Sequence, residues 1–125
     1  METVPGAHHM VVFDVVKTNI QGGYNGNTGV FTVPIEGVYV FTYNVRVACH
    51  SAISFEILKN STPEGSVYID TENSQVCDDD YATGIAVLSA NQGDVVFIRT
   101  HSTYTPRGSI QSNQYGRSSF SGWLL

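Results

Sequence analysis

The stretch from Gly37 to Val47 constrains the fold more than any other. Tyr39, Phe41, Tyr43, Val45 and Val47 alternate without a break with Val38, Val40, Thr42, Asn44 and Arg46. Successive strand side chains point to opposite faces, so this pattern is a long strand with one core face and one mixed face. Ile53, Phe55 and Ile57 alternate with Ser54 and Glu56, predicting a second, half-exposed strand. Shorter strands are expected over Val30–Val33, Val67–Ile69, Gly84–Leu88 and Asp94–Thr100, with His9–Val16 as a first apolar run. Turn chemistry separates them at Gln21-Gly22-Gly23, Asn25-Gly26-Asn27, Lys59 to Gly65 and Asn91-Gln92-Gly93. The 16 Val and 8 Ile against 4 Leu favour a pleated surface in the same way. No window holds a helical period. The 125 residues fit one all-β domain, a sandwich, barrel or jelly roll.

Charge excludes several partners. Lys plus Arg is 6 against 11 Asp plus Glu, a net of −5, and no basic cluster is present to track phosphates, so nucleic acid is not expected. No apolar run approaches the roughly 20 residues a bilayer span needs, so no membrane insertion is expected. Residues 1–10 read as an N-terminal stub without a visible leader, the His8-His9-Met10 stretch having the look of a cloning remnant, and residues 11–125 as the domain. The segment from His101 to Ser119 is polar and rich in Gly, Ser and Tyr, which reads as a surface loop or loosely paired ribbon. The apolar end, Trp123-Leu124-Leu125, is expected to lie in a sheet, against a neighbouring subunit or the domain itself.

No catalytic motif is present, and the chain is not expected to be an enzyme. Gly116-Arg117-Ser118-Ser119-Phe120 lacks the second glycine of a nucleophile elbow, and Gly22 to Gly29 lacks the Gly-Lys ending of a phosphate loop. Cys49 and Cys77, 28 positions apart, form no C-x-x-C unit; a disulfide and two buried thiols both remain open. Asp78-Asp79-Asp80 offers carboxylates that suit a hard cation such as calcium, or simply a solvated acidic loop. Asn60-Ser61-Thr62 is a glycosylation triplet followed by Pro63.

Phe13, Asn19, Tyr24, Phe31, Gly37, Tyr39, Phe41 and Tyr43 carry a recognisable spacing. Five, four, six and five residues separate the first five of them, and Gly-x-Tyr-x-Phe-x-Tyr follows. With Gly93-Asp94-Val95-Val96 and the closing Phe120-Ser121-Gly122-Trp123-Leu124-Leu125, the chain from Val11 to Leu125 resembles the C1q globular-head domain, a relative of the tumour necrosis factor fold. The resemblance implies a jelly-roll β-sandwich of two antiparallel sheets that assembles as a homotrimer. It also implies a secreted, lectin-like recognition module of innate immunity, binding glycans or microbial surfaces, or alternatively a cytokine-like trimer that engages a protein receptor.

The same resemblance makes Asp78, Asp79, Asp80 and Tyr81, just after Cys77, the candidate calcium ligands. The Tyr24-Asn25-Gly26 turn departs from the Tyr-Asp-Gly of relatives that add a carboxylate there. An opening Ala-Phe-Ser-Ala strand, usual in the family, has no counterpart before Phe13, which would leave one sheet edge open. For the ligand, Tyr104, Arg107, Tyr115 and Arg117 are the candidates: tyrosines stack on sugar rings, and arginine forks bind carboxylates such as that of sialic acid. The alternative is that these four order a loop or pack between subunits.

Overall fold

The computed structural model describes residues 2–73 and 75–125. Its strands are β1 (Glu2–Thr3), β2 (Tyr24–Asn25), β3 (Val30–Thr32), β4 (Gly37–Val47), β5 (Ala52–Lys59), β6 (Thr62–Asp70), β7 (Asp80–Ala90), β8 (Val95–Thr100), β9 (Ile110–Gln111) and β10 (Ser119–Leu124). They form two five-stranded antiparallel sheets. In sheet A, β4 is central: β7 pairs along its whole length, while β10 and then β9 lie end to end on its other side, and β1 adds to β9. Sheet B runs β2-β3-β8-β5-β6.

The core follows the alternation of β4. Tyr39, Phe41, Tyr43, Val45 and Val47 are all buried, packed in one cluster with Phe55 and Ile57 of β5 and Val96 and Ile98 of β8. Phe41 stacks on Phe120 of β10 at 5.8 Å between ring centroids and meets Phe31 edge-on at 5.5 Å. The last strand is thereby tied into sheet A through its aromatic ring as well as its backbone.

Several boundaries differ from the sequence reading. The expected turn from Lys59 to Gly65 shrinks to Asn60-Ser61, and β6 already starts at Thr62. Asn60 takes a left-handed φ of 56°, and its side chain holds the neighbouring turn by accepting from Val95 N–H at 3.1 Å. Pro63 is tolerated because β6 is the edge of sheet B, where a missing N–H breaks no second ladder. β7 begins four residues before Gly84, so Asp80 and Tyr81 belong to a strand.

Residues 2–10, set apart in the sequence as a stub, lie against the sandwich; Met1 is outside the described residues. Thr3 pairs with Ile110, Thr100 N–H donates to His9 O at 2.9 Å, and Val11 N–H donates to Ile98 O at 3.0 Å. The segment thus covers the part of the β8 edge that the short β3 leaves free. From 12 to 18 the chain leaves the sheet, so the apolar run His9–Val16 is only partly strand-like. The 101–119 segment is anchored rather than loose. Ile110 is buried, and Ala52 and Arg107 exchange backbone hydrogen bonds of 2.8 and 3.0 Å.

Candidate functional site

On the outer face of sheet B, the alternation of β6 sets Glu64, Ser66, Tyr68 and Asp70 towards solvent. Tyr68 and Tyr104 share a hydroxyl–hydroxyl bond of 2.9 Å, with their rings nearly perpendicular and 5.5 Å apart. Arg107 grips Glu72 through both carboxylate oxygens, Nε to Oε2 at 2.5 Å and Nη2 to Oε1 at 2.6 Å. The hydrogen bond from Tyr104, then partial burial and the Asp70 charge, push the Tyr68 hydroxyl up to about 12. Arg107 holds the Glu72 carboxyl below its ordinary value, and the guanidinium is raised in turn. The result is an exposed Tyr68 ring set against a half-buried Tyr104 ring, joined at their hydroxyls and flanked by an ion pair.

The four expected ligand residues therefore separate. Tyr104 and Arg107 share the face just described, with the Arg107 fork filled by Glu72. Tyr115, strongly exposed, sits on the Asn113–Gly116 turn. Arg117 lies beside sheet A, where its carbonyl accepts from Asn44 Nδ2 at 3.2 Å.

In the acidic loop, Cys49 and Cys77 are joined as a disulfide. Asp78, Asp79, Asp80 and Tyr81 do not converge on one point. Arg46 Nε donates to Asp79 Oδ2 at 2.8 Å, and its Nη1 reaches Asn113 Oδ1 at 2.9 Å and Gly116 O at 3.0 Å. Asp80 Oδ1 accepts from the neighbouring Tyr81 N–H at 2.8 Å. Among the described residues, the acidic side chains form no group of three close enough to share a metal ion. The charge that faces Asp79 is the Arg46 guanidinium.

The outer face of sheet A carries an apolar row among polar residues. Val87, Val40 and Trp123 lie in register across β7, β4 and β10, with Ile85 one row along. Ile85 is 70% exposed, Val87 61% and Trp123 51%. Among the described residues no strand pairs with the outer side of β10, and a groove of about 770 Å³ runs between that edge and residues 12–21.

The family model of the C1q domain matches residues 1–125. The chain belongs to the C1q-domain family. Zebrafish Caprin-2 is 32% identical over 116 residues, which is 92% of this C1q domain and 12% of Caprin-2. Mouse collagen alpha-1(X) chain is 29% identical over 121 residues, 97% of this chain and 17% of the collagen. The C1q domain thus spans less than a fifth of either relative. Among solved structures, the globular domain of zebrafish complement 1qA superposes with a TM-score of 0.68 at 21% identity, covering 99% of this chain and 93% of that one. The Eiger tumour necrosis factor of S. frugiperda gives 0.63 at 19% identity, covering 97% and 84%. These likenesses establish the jelly-roll fold.

Tyr68, Glu72, Glu56 and His101 escaped the sequence reading. Alternation places Tyr68 on the solvent side of its strand, but nothing local brings it to Tyr104, 36 residues away. Glu56 carried a signal: it is the single charge inside the apolar run Ile53–Leu58. It was expected to be half exposed and is instead 3% exposed, on an interior strand that lies between β6 and β8.

Proposed function

We propose that this C1q domain is a non-enzymatic recognition module of the secreted type, which assembles as a homotrimer through the apolar row on sheet A and binds glycans on the outer face of sheet B. The observation that carries the glycan reading is the pairing of the exposed Tyr68 with the half-buried Tyr104, whose hydroxyls hold each other at 2.9 Å. Aromatic faces pack on the C–H face of a sugar ring, and pre-fixed rings lose little conformational freedom on binding. The neighbouring Arg107 is neutralised by Glu72, which favours neutral saccharides over acidic ones unless Glu72 is displaced. In this reading Arg46, not calcium, is the cation of the acidic loop.

A glycan array tests the proposal. The wild-type chain is expected to bind neutral glycans, and Tyr68→Ala/Tyr104→Ala to lose that binding while keeping its assembly. Array silence combined with tight capture of a protein receptor would favour the cytokine-like alternative and contradict the lectin.

A further inference from the structure

Among the described residues, the carboxylate of Glu56 on β5 has no hydrogen-bond partner. Its side chain is 4% exposed, and the described residues give it only His101 Nε2, 3.7 Å from Oε1, beyond hydrogen-bond reach. Arg99 stands directly opposite on β8, yet its Nη1 turns to His8 Nε2 at 2.7 Å. Among the described residues Arg99 Nε, not a Glu56 oxygen, is the fully buried side-chain atom left without a partner, so the Glu56 carboxylate keeps an opening to solvent through which a ligand can reach it.

Glu56 and His101 line an open pocket of about 350 Å³ on the outer face of sheet B, together with Pro63, Glu64, Gly65 and Ser66. The register of β5 against β6 slips here, from Ile57↔Gly65 to Leu58↔Pro63, so Glu64 is bulged out at the rim. The Tyr68–Tyr104 pair adjoins it: Tyr68 follows Ser66 by two residues along the same face, and Tyr104 N–H donates to His101 Nδ1 at 3.2 Å.

The imidazole defines what enters. Nδ1 accepts from the backbone N–H groups of Thr103, at 3.1 Å, and Tyr104, so the ring hydrogen sits on Nε2 and points into the pocket. With its Nε2 lone pair occupied by that hydrogen, His101 offers the pocket a donor rather than a metal ligand. A hydroxyl oxygen about 2.8 Å from both groups would donate to Glu56 and accept from His101. Glu64 and Ser66 stand ready for a second, adjacent hydroxyl.

We propose that the Glu56–His101 pocket binds a vicinal diol of a neutral saccharide whose ring face rests on the Tyr68–Tyr104 pair. This rests on the glycan reading above and assigns its polar contacts.

The test is an NMR titration of the full chain with methyl α-D-mannoside, methyl β-D-galactoside and N-acetylglucosamine, following the His101 and Tyr104 resonances. One of the three is expected to move the His101 Nε2 signal, and its per-O-methyl analogue, which has no hydroxyl to donate, to leave it still. Glu56→Gln is expected to weaken binding about tenfold or more, because a charge-assisted bond is lost. Ser66→Leu, which fills the pocket from an exposed strand position, is expected to abolish binding and carries the test should Glu56→Gln fail to fold. Saccharide binding that is lost in Tyr68→Ala/Tyr104→Ala, but unchanged in Glu56→Gln and Ser66→Leu, would overturn the pocket and leave the glycan reading standing. No response of either Tyr104 or His101 to any of the three would overturn both.

Discussion

Gly84 of β7 lies directly opposite Tyr43 of β4, and the tyrosine ring fills the space a side chain at Gly84 would need. A Cβ there would come within 2.5 Å of Tyr43 Cε1 and Oη, and Tyr43 is buried in the core with no room to swing aside. Gly84→Ala is therefore expected to cost about 1–3 kcal/mol through overpacking. Urea unfolding checks this as a lower midpoint at unchanged slope; a midpoint equal to wild type would show that the ring can yield.

Tyr43 also sets an alkaline limit. Burial, with a smaller contribution from the Glu56 charge, pushes its hydroxyl up to about 12, so the fold favours the neutral phenol. Between pH 10 and 12 the unfolded chain gives up this proton and the folded one keeps it, so stability falls as pH rises. The expected loss is roughly 2–3 kcal/mol across that window. Tyr43→Phe should flatten the fall, as read by denaturation at pH 9, 10.5 and 11.5; an unchanged slope would remove Tyr43 as its source.

Arg46 ties β4 to the acidic loop and to the Asn113–Gly116 turn at once. Its side chain is only 15% exposed, and removal takes the guanidinium from Asp79, while Asn113 Oδ1 keeps the Tyr115 N–H and the Gly116 carbonyl keeps the Asn113 N–H. Arg46→Ala is expected to cost about 1–3 kcal/mol. Calcium and chelator should give wild-type protein the same melting temperature. A rise with calcium in the wild type would show that a metal can enter beside the guanidinium.

Val87, 61% exposed, forms the β7 end of the apolar row on sheet A. A long cation placed there faces desolvation without a partner in any packed interface. Wild type is expected to sediment at about 41 kDa, three times the 13.6 kDa chain, and Val87→Arg as a folded monomer. A wild-type monomer would mean that this face serves some other purpose.

The fold was largely legible because β4 states its period openly and the aromatic spacing from Phe13 to Tyr43 is specific. The face of sheet B was not. Tyr104 and Arg107 were visible as residue types in a polar segment, but their partners Tyr68 and Glu72 arrive from an edge strand and its following turn, 36 and 35 positions away. Glu56 was legible as a charge in an apolar run and misjudged in exposure, because alternation shows which face a residue takes and not what covers that face. The Asp78–Asp80 run illustrates the converse. Its charge was plain in the sequence, whereas Arg46, which answers that charge, lies on the mixed face of a distant strand.

Avidity measures the central claim most directly, because assembly and recognition are assigned to opposite sheets. Wild type and Val87→Arg would be compared on a glycan-coated surface and against the same saccharide free in solution. Both should bind the free saccharide equally, and wild type should bind the surface about 100-fold or more tightly than the monomeric variant. Equal binding to the surface, or loss of free-saccharide binding in Val87→Arg, would contradict it.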